Sequence, residues 1–202
     1  MAEYFSNTCC SEQNALDIAW DLLTGDTCEH LLSAVCSNSH EELSRFRKYM
    51  VHAMLATDRA DSDLLESRNN RWHRAVSLPP PQQSIVIIEQ FMQLSGVIHA
   101  VQGQDIFEKW NERLFREHYL AYFNDRRDLD PCESWYKEQT KLFRDDVLPL
   151  TERYQGGLLG NCDELSQQAA MNFQEWTSKG KDIVAQLAQA AKYEFGEKAP
   201  SE

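Results

Sequence analysis

The sequence predicts an all-α protein of about seven to nine helices. Apolar residues recur at three- and four-residue spacing along most of the chain, as on one face of a helix. Helix start and stop signals flank these segments, and no stretch keeps the apolar–polar alternation of a half-buried strand. The chain has 202 residues, so we expect one domain with a sizeable core.

The N-terminal part predicts three helices in succession. The first spans about 12–23 and ends before Gly25, and the second is short. The third opens at a capping box, in which Ser39 is followed three residues later by Glu42. The residues predicted to face inward on these helices are Ile18, Leu22, Leu23, Leu31, Leu32, Val35, Leu43, Phe46, Met50 and Met54.

A proline run divides the next two predicted helices. The first of them spans 61–72, with Leu64, Leu65 and Trp72 inward. The run at 79–81 predicts an extended break, because proline cannot continue a helix. The strongly apolar segment 84–101 then predicts a helix that is buried on most sides. Its start at 85–88 would suit a strand alone, but the helical spacing continues through Phe91, Leu94, Ile98 and Val101.

The C-terminal part predicts four further helices. One spans 105–123, with Ile106, Trp110, Leu114 and Tyr122 on its inward side. The next begins at Asp130-Pro131 and runs toward Tyr154 with a kink at Pro149. After a glycine-rich loop, a helix over 163–179 is stopped by Gly180, and an alanine-rich helix over 183–195 follows.

Composition narrows the classes of partner and compartment. The formal net charge is -12, from 32 acidic and 20 basic residues, which disfavours nucleic acid and anionic membranes as partners. No apolar run is expected to reach the ~20 residues of a membrane span, and the N-terminus does not resemble a signal peptide. A cytoplasmic protein is therefore predicted, and its six cysteines are expected to be free thiols.

Residue patterns alone predict no catalytic or metal site. None of the six histidines pairs with another at the i+3 or i+4 spacing that places two ligands on one helix face. The acidic cluster at 58–63 lacks the glycine and terminal glutamate of an EF-hand, so a helix end is the better interpretation. Lys137, Lys141 and Arg144 are interpreted as solvated charges.

Several segments, however, resemble segments of one known protein family, and they occur in the same order along the chain. They are SEQNALDIAWDLL at 11–23, RKYMVHAMLATD at 47–58, LSGVIH at 94–99, KWNERLF at 109–115, WYKEQTKLFRDDVLPL at 135–150 and NFQEWTSKG at 172–180. Together they resemble the C-terminal half of a class I 3′,5′-cyclic nucleotide phosphodiesterase catalytic domain. The resemblance is nearest to the domains that are fused to receptor cyclases in algae and protists. It implies a tail at 1–10, a partial phosphodiesterase-like domain at 11–180, and a C-terminal helix and tail at 181–202.

The resemblance also implies family-equivalent positions for substrate binding. Gln139 corresponds to the glutamine that binds the purine, and Leu142 to the phenylalanine that clamps the purine ring. His99 corresponds to an asparagine in the metal-aspartate segment. Phe107 and Trp110 belong to the same set, although a role in the core is the stronger expectation for both.

The family's metal chemistry is incomplete in this sequence. Phosphodiesterases use two divalent metal ions to activate a hydroxide that attacks the cyclic phosphate. Three of the four ligands and the acid lie upstream of the matched region, and Gly96 occupies the position of the fourth ligand, an aspartate. Asn14 and Ala15 stand where the family has two histidines. No catalytic residue and no bound metal or other cofactor are therefore expected in this chain.

Three functions remain open from the sequence. The chain could belong to a longer phosphodiesterase that binds a cyclic nucleotide and acts in signal transduction. It could instead be a degenerate, non-catalytic domain that binds a protein partner or self-associates. It could also be an unrelated helical interaction module. The loss of aspartate at Gly96 favours the second function, because a simple truncation would retain it.

Overall fold

The computed structural model describes residues 9–36, 39–59, 61–160 and 162–196, and within these ranges the protein is all-α, as predicted. The predicted tails at 1–10 and 181–202 lie partly outside the described residues. The chain divides into two compact units, Met1–Gly96 and Val97–Glu202.

The first unit contains five α-helices in its described part. They are α1 (Cys10–Thr24), α2 (Glu29–Cys36), α3 (His40–Leu55), α4 (Ser62–Arg74) and α5 (Pro80–Val97), whose last residue belongs to the second unit. The N-cap half of the predicted capping box at α3 is confirmed, because the Ser39 side chain accepts a hydrogen bond from the Glu42 backbone N–H. Asp61 caps α4 in the same way through the backbone N–H groups of Asp63 and Leu64.

The inward faces predicted for α1 and α2 are partly wrong. Ile18 and Leu22 are exposed, as are Leu31 and Val35. The side of α1 that is partly covered instead includes Trp20, and the Arg47 guanidinium from α3 lies 5.0 Å from the centre of its ring. Such a contact combines apolar burial with attraction between the cation and the ring face. The spacing of apolar residues in the sequence does not reveal a contact of this kind.

The helix α5 begins within the proline run that was predicted to be extended. Pro80 and Pro81 form its first turn, where a missing backbone N–H costs nothing. Helical structure then continues through α5 and a 3₁₀ turn, Ile98–Val101, as predicted for 84–101. The expectation of burial on most sides is right for Val86, Leu94 and Val97, but Phe91 is exposed.

One helical stretch in the described ranges, Pro80–Val101, has the length and composition to cross a membrane. Its 22 residues correct the expectation that no apolar run approaches such a length. Glu89 near its middle is 1% exposed and is hydrogen-bonded to His52 of α3 and Arg71 of α4. A paired, buried carboxylate suits a helix that is packed against other protein.

The second unit is built around a long C-terminal helix. Its α-helices are α6 (Gln104–Phe123), α7 (Pro131–Leu142), α8 (Leu148–Glu152) and α9 (Asp163–Phe195). A π-helical stretch, Phe143–Val147, joins α7 to α8 and ends two residues before Pro149. Prolines and π-helical turns are both usual sites of helix bending, so the irregularity lies next to the position where the kink was predicted.

The face predicted to be inward on α6 is wrong. Ile106 is 37% exposed and Trp110 is 44% exposed. The buried side chains lie on another face of the helix and are Phe107, Asn111, Phe115 and Tyr119. Asn111 is buried because its side-chain oxygen accepts a hydrogen bond from the Trp135 indole N–H at 2.9 Å.

The predicted helix stop at Gly180 is also wrong, because α9 continues through it to Phe195. A Cβ atom at position 180 would lie 2.9 Å from the Trp176 ring and 3.1 Å from the Tyr136 ring. Glycine is therefore present for close packing of α9 against α7, since the helix backbone itself does not break there.

Candidate functional site

Phe107, one of the family-equivalent substrate positions, lies in the core of the second unit. It is 3% exposed, and its ring centre lies 5.5 Å from that of Phe143 and 6.2 Å from that of Trp176. Both contacts are edge-on, which is a favourable geometry for aromatic pairs. Phe107 therefore joins α6 to the α7–α8 segment and to α9, as expected for a core residue.

Gln139 lies on the packed side of α7. It is 6% exposed and falls one helical turn after Trp135 and one turn before Phe143, both of which are buried. Leu142 lies beside Phe143 at the end of α7 and is half-buried. The structure thus brings Gln139 and Phe107 to the same helix-packing region, because Phe143 follows the first by one turn and contacts the second.

Trp110 and His99 lie elsewhere in the unit. Trp110 is on the outer side of α6, with the Arg113 guanidinium 5.1 Å from the centre of its ring. This position contradicts the expectation that Trp110 belongs to the core. His99 is half-buried in the 3₁₀ turn, which is anchored to α9 because the Asn172 side-chain amide donates to the carbonyls of Ala100 and Gln102.

Gly96, which the resemblance to phosphodiesterases aligns with a metal-binding aspartate, lies near the end of α5 in the first unit. It is exposed, and a Cβ atom built there meets no other atom within 4 Å. Packing therefore leaves room for an aspartate. Among the residues that the structure describes, no group of three or more His, Cys, Asp or Glu side chains is placed to hold a metal ion.

A buried ionic cluster in the first unit was not anticipated from the sequence. The carboxylate of Glu89 accepts hydrogen bonds from the Arg71 guanidinium at 2.6 and 3.2 Å, and it lies 2.7 Å from His52 Nδ1. Burial alone would raise the pKa of Glu89, but the hydrogen bonds and charges of His52 and Arg71 outweigh it and lower that pKa. The cluster ties α5 to α3 and α4, and a single acid within an apolar run was its only signal in the sequence.

An open groove of about 500 Å³ lies along the seam between α3 and the start of α5. Arg45, Lys48 and His40 supply basic groups on the α3 side, opposed there by Glu41. Pro81 and Ile85 supply an apolar wall on the α5 side. The groove lies about one helical turn from the Glu89 cluster along both helices.

Comparison with known proteins adds no relative. No protein-family model, no curated protein and no solved structure matches this chain.

Proposed function

We propose that this chain is a catalytically inactive relative of the class I phosphodiesterases that acts by binding a partner protein. The observation that carries the proposal is the burial of Gln139 and Phe107, at 6% and 3% exposure, on the surfaces where helices pack together. A residue that reads a purine must present its polar atoms to the ligand. These two side chains instead stabilise the second unit.

The remaining family-equivalent positions support the same proposal. Leu142 has no aromatic face to stack on a base. Gly96 has no donor atom for a metal ion, although the space around it would accept a carboxylate. Packing therefore does not explain why glycine stands in place of the aspartate. Such a replacement is expected where metal binding is no longer required.

We propose that the protein binds no cofactor and acts in the cytoplasm. A net charge of -12 favours a protein partner over nucleic acid or an anionic membrane. A cyclic nucleotide remains the substrate of a full-length, active phosphodiesterase and is not the ligand proposed for this chain.

Replacing Gln139 with alanine tests the proposed role of this residue. If Gln139 packs helices, Gln139→Ala lowers the free energy of unfolding by about 1–3 kcal/mol, because the buried side chain leaves a cavity. Binding of cyclic AMP or cyclic GMP, measured by titration calorimetry, is absent before and after the change. Lys137→Ala, at an exposed site on the same helix, is the matched control and should change neither quantity. Nucleotide binding that Gln139→Ala abolishes without loss of stability would contradict the proposal.

A further inference from the structure

The outer face of α6 carries an ordered stripe of exposed side chains. Ile106, Trp110 and Leu120 are 37%, 44% and 37% exposed, and Arg113 and Glu117 are exposed between them. At 3.6 residues per turn, these five positions fall within about 80° of one another around the helix. They lie opposite the buried face formed by Phe107, Asn111, Phe115 and Tyr119. An exposed tryptophan and arginine on an apolar stripe are typical of a protein-binding surface.

The stripe is complementary to the same stripe on a second copy of α6 that runs antiparallel to it. Trp110 and Leu120 are each five residues from Phe115, and Arg113 and Glu117 are each two residues from it. If two copies of α6 pack antiparallel about a two-fold axis at Phe115, Trp110 of each copy faces Leu120 of the other. Arg113 of each copy then faces Glu117 of the other. A two-fold interface requires such pairing, because the same surface patch serves both subunits.

We propose that the partner of this chain is a second copy of itself, bound through antiparallel packing of the α6 stripe. The inference rests on the binding role proposed above and gives it a specific occupant. The apolar pairs of Trp110 with Leu120 supply most of the association energy, and the two Arg113–Glu117 pairs fix the antiparallel register. The Arg113 guanidinium, already over the Trp110 ring at 5.1 Å, is held on the stripe by that contact.

The net charge of the chain determines the salt concentration at which two copies can associate. A net charge of -12 on each copy opposes dimer formation at low ionic strength. At physiological salt the Debye length is about 8 Å, so this repulsion is screened, while the pairs within the interface are screened less. The dimer is therefore expected to form near 0.15 M salt.

Light scattering coupled to size exclusion, and sedimentation equilibrium of the full chain, test the proposal. The chain should be a dimer at about 100 μM and dissociate on dilution through the micromolar range. Trp110→Ala combined with Leu120→Ala should raise the Kd by at least about tenfold. Far-UV circular dichroism spectra of these variants should match that of the parent, because the replaced side chains face outward.

Charge reversal provides the sharper test. Arg113→Glu alone and Glu117→Arg alone should each weaken the dimer by about tenfold or more, because like charges then face each other. The double variant Arg113→Glu/Glu117→Arg should recover the dimer, and an equimolar mixture of the two single variants should form mixed dimers. Glu112→Arg, an exposed change off the stripe, is the control and should leave the Kd unchanged.

A monomer at 100 μM, or a dimer that none of the α6 variants weakens, would overturn the proposal. So would a double reversal that fails to recover association while remaining folded. Oligomeric state and nucleotide hydrolysis are measured separately. A monomer that hydrolyses no nucleotide therefore overturns only the self-pairing, whereas turnover overturns the proposed inactivity.

Discussion

A methyl group at Gly180 would collide with two aromatic rings, although alanine is the better helix former. Gly180→Ala places a Cβ atom 2.9 Å from the fully buried Trp176 and 3.1 Å from Tyr136. Overpacking of this kind costs about 1–3 kcal/mol, and the gain in helix propensity is about 1 kcal/mol. We expect chemical denaturation to show a net loss of up to about 2 kcal/mol of unfolding free energy.

Gly96→Ala is the matched control for that prediction. Gly96 is also helical, but its added Cβ meets nothing within 4 Å, so the substitution should stabilise the chain by up to about 1 kcal/mol. Equal stabilisation by both substitutions would show that α7 and α9 do not pack closely at position 180.

The two glycines show what a sequence can and cannot reveal about single residues. The sequence predicts a helix end at Gly180, because glycine commonly ends helices and an alanine-rich segment that could form a separate helix follows it. Of the two rings that exclude a side chain there, that of Trp176 lies one turn earlier in α9, and that of Tyr136 is 44 positions away on another helix. Local capping by Ser39 could be predicted, because both partners of the bond lie within three residues.

At the scale of the helix, α5 depends on the charge of Glu89 as well as on its apolar face. The lowered pKa of Glu89 means that its contribution to stability is present above its unfolded pKa of about 4.3. That contribution is lost as the pH falls through the folded pKa, because the unfolded chain binds the proton more readily. Stability should therefore fall on acidification below about pH 4.

Glu89→Gln tests this linkage. At pH 7 the variant should lose about 1–3 kcal/mol of unfolding free energy, because Arg71 and His52 lose a charged partner but are themselves only partly buried. The decline in stability between about pH 5 and pH 3 should be shallower than in the parent. Glu66→Gln, at an exposed acid on α4, serves as the control. Parallel pH profiles for the parent and Glu89→Gln would contradict the proposed role of the cluster.

The helices could be placed from the sequence, but the sides on which they pack could not. Helical spacing and caps predicted α1, α3, α4 and α6 to within a few residues. On α6, aromatic residues occur on opposite sides, so helical spacing is consistent with either side facing inward. The prediction placed Trp110 inward, whereas the structure buries Phe107 and Tyr119. The deciding contacts are long-range, such as the Tyr119 hydroxyl that donates to the carbonyl of Gly196 at 2.7 Å.

For the whole molecule, the family-equivalent positions were predicted from resemblance, and their burial became visible only in the folded chain. From the sequence, Phe107 could be a ligand contact or a core residue, and Gln139 could be a purine-binding residue or an ordinary residue on the helix surface. The burial of Gln139 contradicts the second of its two alternatives. A sequence does not show which side of a helix is covered. The boundary between the two compact units, at Gly96, carries no linker signal in the sequence, since α5 continues across it without a glycine- or proline-rich stretch.

Hydrolysis of cyclic AMP and cyclic GMP by the purified chain tests the central claim of inactivity most directly. The assay should be run with Mg²⁺, Mn²⁺ and Zn²⁺ in turn, on the parent and on Gly96→Asp. Neither protein should produce nucleotide monophosphate above the rate without protein, because a single restored carboxylate cannot hold a catalytic metal pair. Metal-dependent turnover that disappears in Gln139→Ala would contradict the account and identify the chain as a working phosphodiesterase.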